Sequence, residues 1–204
     1  MKLLHGGLSP FVRKVMVVAH EKGVTDALER VPSPVNPLEP MESVITVNPL
    51  GKIPALVLDQ GDVLYGSTLI CEYLDDTFPE PRMVPVGSAR WEALRRCNLA
   101  DGFLEAGNLI RIEFLRPEGT QWEKWEEVQT LKISNALDAL EKDASGLSSD
   151  APRIGEVAIG CALGWLDVRL QHIAWRKDRP SLESWYRRMA ERPSMVRTEP
   201  KMPR

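Results

Sequence analysis

The feature that most limits the folds open to this chain is a change of rhythm near residue 80. Before it, short β-rich runs alternate with helical spacing; after it, helical spacing alone remains. "MKLLHG" (1–6) suits a buried strand, "PFVRKVMVVAHEKG" (10–23) a helix with a glycine stop, and "ALERV" (27–31) a second strand. The proline-rich "VPSPVNPLEP" (31–40) reads as loop. "IPALVLDQGDVLY" (53–65) holds two β-rich runs around Asp-Gln-Gly-Asp, a hairpin signature. "STLICEYLDDTF" (67–78) then restores helical spacing through Leu69, Ile70, Tyr73 and Leu74. The order is βαβ followed by ββα, an α/β domain.

From Ser88 the chain carries long helical periods in 88–114, 120–143, 156–173 and 181–192. Breakers such as Pro117, Gly119, Gly146, Pro152 and Pro180 fall between them. This half reads as an all-α helical bundle. The expected division is 1–78 for the α/β domain, 79–87 for a linker and 88–204 for the helical domain, together long enough to bury a core.

Charge and composition narrow the function. With 26 basic against 29 acidic residues the net charge is only −3, so no field for nucleic acid or anionic lipid follows. The apolar run before Gly6 is too short for a signal peptide, and no run approaches a membrane span of about 20 residues. A soluble, cytoplasmic protein is expected. Cys71, Cys97 and Cys161 are far apart and each sits in an apolar, helical context, which suggests buried reduced thiols. With His5, His20 and His172 scattered, a metal site has no support.

Three local signals remain. In "GLSPFVRK", Ser9 followed by Pro10 is what a helix start wants, a hydroxyl to cap a free N–H and a proline at the first helical position. The same helix start follows the first strand of a βαβ unit, where such folds bind ligands, and its partial positive charge would stabilise a thiolate. Ser9 is therefore a cap, or a cap that also ionises a bound thiol. In "NPLGKIPAL", Pro54 begins a strand; it is an ordinary loop-to-strand proline, or a cis-proline exposing the backbone of Ile53 to an extended peptide. In "LYGSTLICEYL", Ser67 reads as the cap of the third helix, with or without a carboxylate bound there.

In their order and spacing these signals resemble the glutathione transferases: a thioredoxin-like domain with its catalytic residue after strand one, a cis-proline before strand three and a serine opening helix three. The likeness is strongest to bacterial members carrying S-P-F-V-R-K, N-P-L-G-K-[IV]-P and a late R-T-E-P, matched by Ser9 to Lys14, Asn48 to Pro54 and Arg197 to Pro200. The resemblance implies that glutathione, as co-substrate, lies extended on the first domain. Its cysteinyl backbone would pair with Ile53 before Pro54, its γ-glutamyl carboxylate with Ser67, its glycyl carboxylate with Lys52, and its sulfur would point at Ser9. It implies attack on a small apolar electrophile held between the domains, with Phe11, or residues around Asp101, Phe103 and Leu104, lining that pocket. It also implies a homodimer.

Two departures stand out. Members of the family usually carry an acid immediately before the serine of helix three, to receive the γ-glutamyl ammonium; here that position is Gly66. Loss of one such charge-assisted bond weakens binding roughly 10- to 150-fold. Gly66 also motivates an alternative, a transferase-like protein that binds partners without turnover. The family's buried helix usually opens with a serine or threonine cap and an acid three residues on; here "RIGE" keeps Glu156 but places Arg153 at the cap, at an expected cost of about 1 kcal/mol. Dithiol redox chemistry is disfavoured, since Ser9 and Val12 stand where a cysteine pair would be needed. Glutathione use without net conjugation, as in a dehalogenase, isomerase or peroxidase, stays open.

Overall fold

The computed structural model describes residues 1–200; residues 201–204, expected to end the helical domain, lie outside them. The first half contains β1 (Lys2–His5), α1 (Pro10–Glu21), β2 (Glu29–Pro32), α2 (Glu42–Ile45), β3 (Ala55–Val57), β4 (Val63–Tyr65) and α3 (Ser67–Thr77). The second contains α4 (Ser88–Glu113), α5 (Glu123–Asp143), α6 (Ile154–Arg169), α7 (Pro180–Ala190) and α8 (Pro193–Arg197). This is a thioredoxin-like domain followed by an all-helical one.

The four strands form one mixed sheet in the order β2-β1-β3-β4, with β1 parallel to β2 and antiparallel to β3. Alternate residues of a strand face opposite ways. Leu3 accordingly joins the main core with α1 and α3, while Leu4 packs with Val44 and Ala55 on the other side. Two details differ from the sequence reading. Residues 25–27 form a 3-10 turn, so β2 begins at Glu29 and runs into the stretch read as loop, through Val31 and Pro32. Proline is tolerated there because β2 is an edge strand. The short helices α2 and α8 carry too few residues to show a period.

In the helical half α4 and α6 run side by side in the same direction. A Cβ on Gly155 would lie 2.8 Å from the Ala93 carbonyl oxygen, and one on Gly107 would lie 2.7 Å from the Trp165 ring. Any larger residue would push the helices apart. Helix α1 packs antiparallel across them: Arg13 meets Gly164, while Glu21 pairs with Arg192, which binds the Ser149 and Asp150 carbonyls just before α6 begins. The segment between the two halves is pinned from inside. Asp75 of α3 accepts from Lys22 Nζ at 2.7 Å and from the Met83 and Val84 N–H groups at 2.6 and 3.0 Å.

At the start of α6 the side-chain cap is absent, as Arg153 leads one to expect. Arg153 has no acceptor to offer, but Glu156 accepts its N–H at 3.0 Å, and the Ile154 N–H reaches the Met83 carbonyl at 3.0 Å. Half the capping box survives, and tertiary structure satisfies a further donor. Glu156 also accepts from Arg96 Nη1 at 3.0 Å.

Candidate active site

Ser9 stands just after β1 with extended backbone angles, and its Oγ accepts the Val12 N–H at 3.3 Å. Pro10 takes the first helical position. The capping geometry read from "SP" is present, and Ser9 as a residue is half-buried.

The loop before β3 is shaped by Asn48, a buried residue whose work the motif alone did not reveal. Its Nδ2 donates to the Lys52 carbonyl at 2.7 Å and its Oδ1 accepts the Leu50 N–H at 3.1 Å. Gly51 turns the chain at φ +62°, a value that favours glycine. Lys52 is exposed, and the Ile53–Pro54 bond is cis. Among the described residues neither the N–H nor the C=O of Ile53 joins a turn or loop backbone bond. The Ile53 side chain lies against Gly6, where an added Cβ would sit 2.8 Å from its Cδ1. The loop that carries Ser9 and the loop that carries Ile53 are therefore in contact.

At α3 the sequence reading needs correction. Gly66, not Ser67, is the N-cap residue, at φ 90° and ψ 128°, and no side chain caps this helix start. Ser67 is the buried first residue of the helix. The reason is backbone geometry: φ near +90° is disfavoured for any residue with a Cβ. A helix start with no side-chain cap leaves its first N–H groups for water or a ligand.

Of the expected pocket residues, Phe11 is half-buried at the edge of the core, whereas Phe103 and Leu104 lie inside it. Asp101 belongs to a cluster that the sequence reading missed. Lys14, 1% exposed, sends Nζ to both Asp101 oxygens at 2.6 and 2.8 Å, to Thr68 Oγ1 at 3.0 Å and to Cys97 Sγ at 3.5 Å. Thr68 Oγ1 also lies 3.0 Å from Asp101. This cluster joins α1, α3 and α4 directly beneath the open start of α3. A signal existed: Lys14 shares a helix face with Phe11, Val17 and Val18, where a lone lysine needs a partner. Burial opposes the Lys14 ammonium, but Cys97 and Asp101 outweigh it and hold its pKa above the ordinary 10.5.

All three cysteines are buried and free, though the surroundings of Cys97 are polar rather than apolar. Burial pushes every thiol up, Cys161 to about 11, so none offers a thiolate at neutral pH. Among the described residues no group of three His, Cys, Asp or Glu side chains is placed to hold a metal ion, and no helix is long and apolar enough to cross a membrane. A concavity lined by Arg96, Arg153 and Glu156 opens at the start of α6, the opposite end of that helix from the one Ser9 adjoins.

A thioredoxin-like sheet, a loop that turns into a cis-proline and a helical second half define a class, and comparison with known proteins agrees. Residues 8–77 match the glutathione S-transferase N-terminal domain, and residues 123–188 match the C-terminal domain. An uncharacterised GST-like protein of Escherichia coli (strain K12), YibF, is 35% identical over 98% of each chain. The chain belongs to the glutathione S-transferase family. Among solved structures, a family member from Pseudomonas fluorescens Pf-5 with bound glutathione is 41% identical, covers 98% of this chain and 99% of its own, and superposes with a TM-score of 0.94. A second structure from that organism, with bound S-(propanoic acid)-glutathione, is 41% identical, covers 99% and 100%, and has a TM-score of 0.90.

Proposed function

We propose that this protein is a glutathione transferase that ionises the glutathione thiol at Ser9 and directs it at a small apolar electrophile. The observation that carries the reading is the contact of the Ser9 and Ile53 loops beside an α3 start with no side-chain cap. An extended tripeptide would pair with the Ile53 backbone before Pro54 as an added strand does. Its γ-glutamyl carboxylate would take the N–H groups at Gly66 and Ser67 together with the Ser67 hydroxyl. Lys52, exposed at the other end of the loop, would meet the glycyl carboxylate. With glycine at 66 the usual acid for the γ-glutamyl ammonium is missing, and Asp101, beside Thr68 at this helix start, is engaged by Lys14.

The sulfur would then lie at Ser9, where the hydroxyl and the start of α1 favour the thiolate. The thiol proton leaves to solvent and the sulfur lone pair forms the new C–S bond, while the electrophile's leaving group departs with its bonding pair or, in an addition, its displaced π pair takes a proton from water. Phe11 would border the electrophile, with residues 1–78 holding glutathione and 88–204 completing the pocket. The relatives crystallised with glutathione and with an S-substituted glutathione support a cleft that accepts both a thiol and a thioether. Exposed Tyr65, Leu69 and Trp91, beside the Glu72–Arg90 ion pair, suit a homodimer face.

The test is a calorimetric titration with reduced glutathione at neutral pH, followed by a conjugation assay. Binding with turnover supports the reading; no detectable binding overturns it. Gly66 favours the second reading, a binding protein of the same fold, which predicts binding of a partner without turnover. Product analysis separates conjugation from dehalogenase, isomerase or peroxidase chemistry, in which glutathione is regenerated or oxidised.

A further inference from the structure

The start of α3 stands beside the loop that precedes β3. Ala55 pairs with Tyr65 across the antiparallel β3–β4 ladder, so the next residues outward, Pro54 and Gly66, lie side by side. A peptide paired with the Ile53 backbone therefore brings one of its ends to Gly66 and Ser67. Two features suit that end to an anion. The helix start has no side-chain cap, which leaves its first N–H groups and their partial positive charge for a ligand. Ser67 is only 5% exposed, yet among the described residues its hydroxyl has no hydrogen-bond partner and is not sealed from solvent. A buried polar group of this kind calls for a partner from outside the chain.

The same place is poor in partners for a cation. Gly66 brings no side chain, and its φ of 90° favours glycine, although a Cβ there would meet nothing within 4 Å. The acid that hydrogen-bonds to this helix start is Asp101, which accepts from Thr68, the second residue of α3. Both Asp101 oxygens are already held by Lys14 Nζ, at 2.6 and 2.8 Å, and Lys14 also donates to Thr68 at 3.0 Å. An ammonium brought to Asp101 would stand beside the Lys14 ammonium, and that repulsion offsets the attraction of the carboxylate. Glu72, on the next turn of α3, pairs with Arg90. What the α3 start presents is N–H donors, a hydroxyl and an acid already neutralised.

We propose that this subsite reads only the carboxylate of its ligand and gains nothing from a neighbouring ammonium, so that the protein takes as co-substrates, alongside glutathione, thiol peptides that carry a carboxylate without an ammonium at that end. The inference rests on the glutathione reading above and adds the class of thiol.

Calorimetry with reduced glutathione and with glutaryl-cysteinylglycine, the same tripeptide with hydrogen in place of the ammonium, tests it. The wild-type protein is expected to bind the deaminated thiol within about threefold of glutathione, or up to about fivefold more tightly, the scale of a cation removed from a helix N-terminus. A preference for glutathione above about threefold overturns the inference while leaving the glutathione reading intact. Gly66→Asp, which has room for its side chain, should create a preference for glutathione of about tenfold or more, the value of a charge-assisted bond. Lys14→Met, which releases Asp101, should move the ratio the same way. A ratio that Gly66→Asp leaves unchanged overturns the placement of the amine end at Gly66, and one that Lys14→Met leaves unchanged overturns the neutralising role of Lys14. Failure of both thiols to bind overturns this inference together with the reading beneath it. Should a variant not fold, the wild-type ratio still decides the class of thiol.

Discussion

Removing either partner of the Lys14–Asp101 pair should have unequal consequences. The Lys14 side chain is 1% exposed and that of Asp101 20%, so the two charges have different access to water. Asp101→Ala strands an ammonium in the interior with only the Thr68 hydroxyl and the Cys97 sulfur as partners. Breaking a buried pair in this way costs about 3–5 kcal/mol, and the partial exposure of the site argues for the lower end, about 3 kcal/mol. Lys14→Met replaces the stem with an apolar chain of similar length and leaves Asp101 its Thr68 contact and its exposed edge. That change should cost about 1–2 kcal/mol. The double variant Lys14→Met/Asp101→Ala should be more stable than Asp101→Ala alone, because the stranded cation is gone. Urea denaturation followed by tryptophan fluorescence measures all three. The reasoning is wrong if Lys14→Met is the more damaging single change, or if the double variant is less stable than Asp101→Ala. The pH dependence adds a check. With its folded pKa raised, Lys14 contributes stability that is complete below its ordinary 10.5 and is lost as pH rises through the higher folded value. The difference between wild type and Lys14→Met should therefore shrink in strong base.

Three further outcomes are expected. Ser9→Ala should lower conjugation turnover and raise the bound thiol pKa, measured by thiolate absorbance, while costing about 1 kcal/mol of stability as a lost cap; an unchanged thiol pKa would leave the hydroxyl a cap alone. Gly66→Asp should tighten glutathione binding by supplying an acid, yet lower stability by about 1–3 kcal/mol because a φ of 90° strains any residue with a Cβ; a melting temperature equal to wild type would contradict the strain. Burial acts to raise the Glu21 carboxyl, but hydrogen bonds from Arg192 and Ser194 prevail and hold it below its ordinary 4.5. Its contribution is then complete above about pH 4.5 and lost as pH falls through the lower folded value. Glu21→Gln should cost about 2 kcal/mol at neutral pH and progressively less in acid melts; a penalty independent of pH would refute the pairing.

Much of the site was legible because its signals are local. Serine before proline specifies a helix start wherever it falls, and the alternation of strand and helix periods up to Phe78 specifies a βαβ-ββα order. The third helix start was misread by one residue, since Ser67 looks like a cap in sequence and only the φ of Gly66 shows where the cap lies. The β2 boundary was missed because Pro32 argues against a strand until that strand is known to be an edge. The Cys97 surroundings were misjudged because its polar neighbours, Lys14 and Thr68, come from other helices.

By itself the sequence determined the two kinds of domain, the start of the first helix and the motif residues Ser9 to Lys14 and Asn48 to Pro54, since periodicity, capping and turn chemistry act over a few residues. Only the tertiary structure decided which distant charges meet: Lys14 with Asp101, Asp75 with Lys22, and Arg96 with Glu156. Those pairings depend on helix direction and register, and in α4 and α6 these are set by the close approach at Gly107 and Gly155. No local pattern carries that information, because it resides in the fit between surfaces more than 50 residues apart.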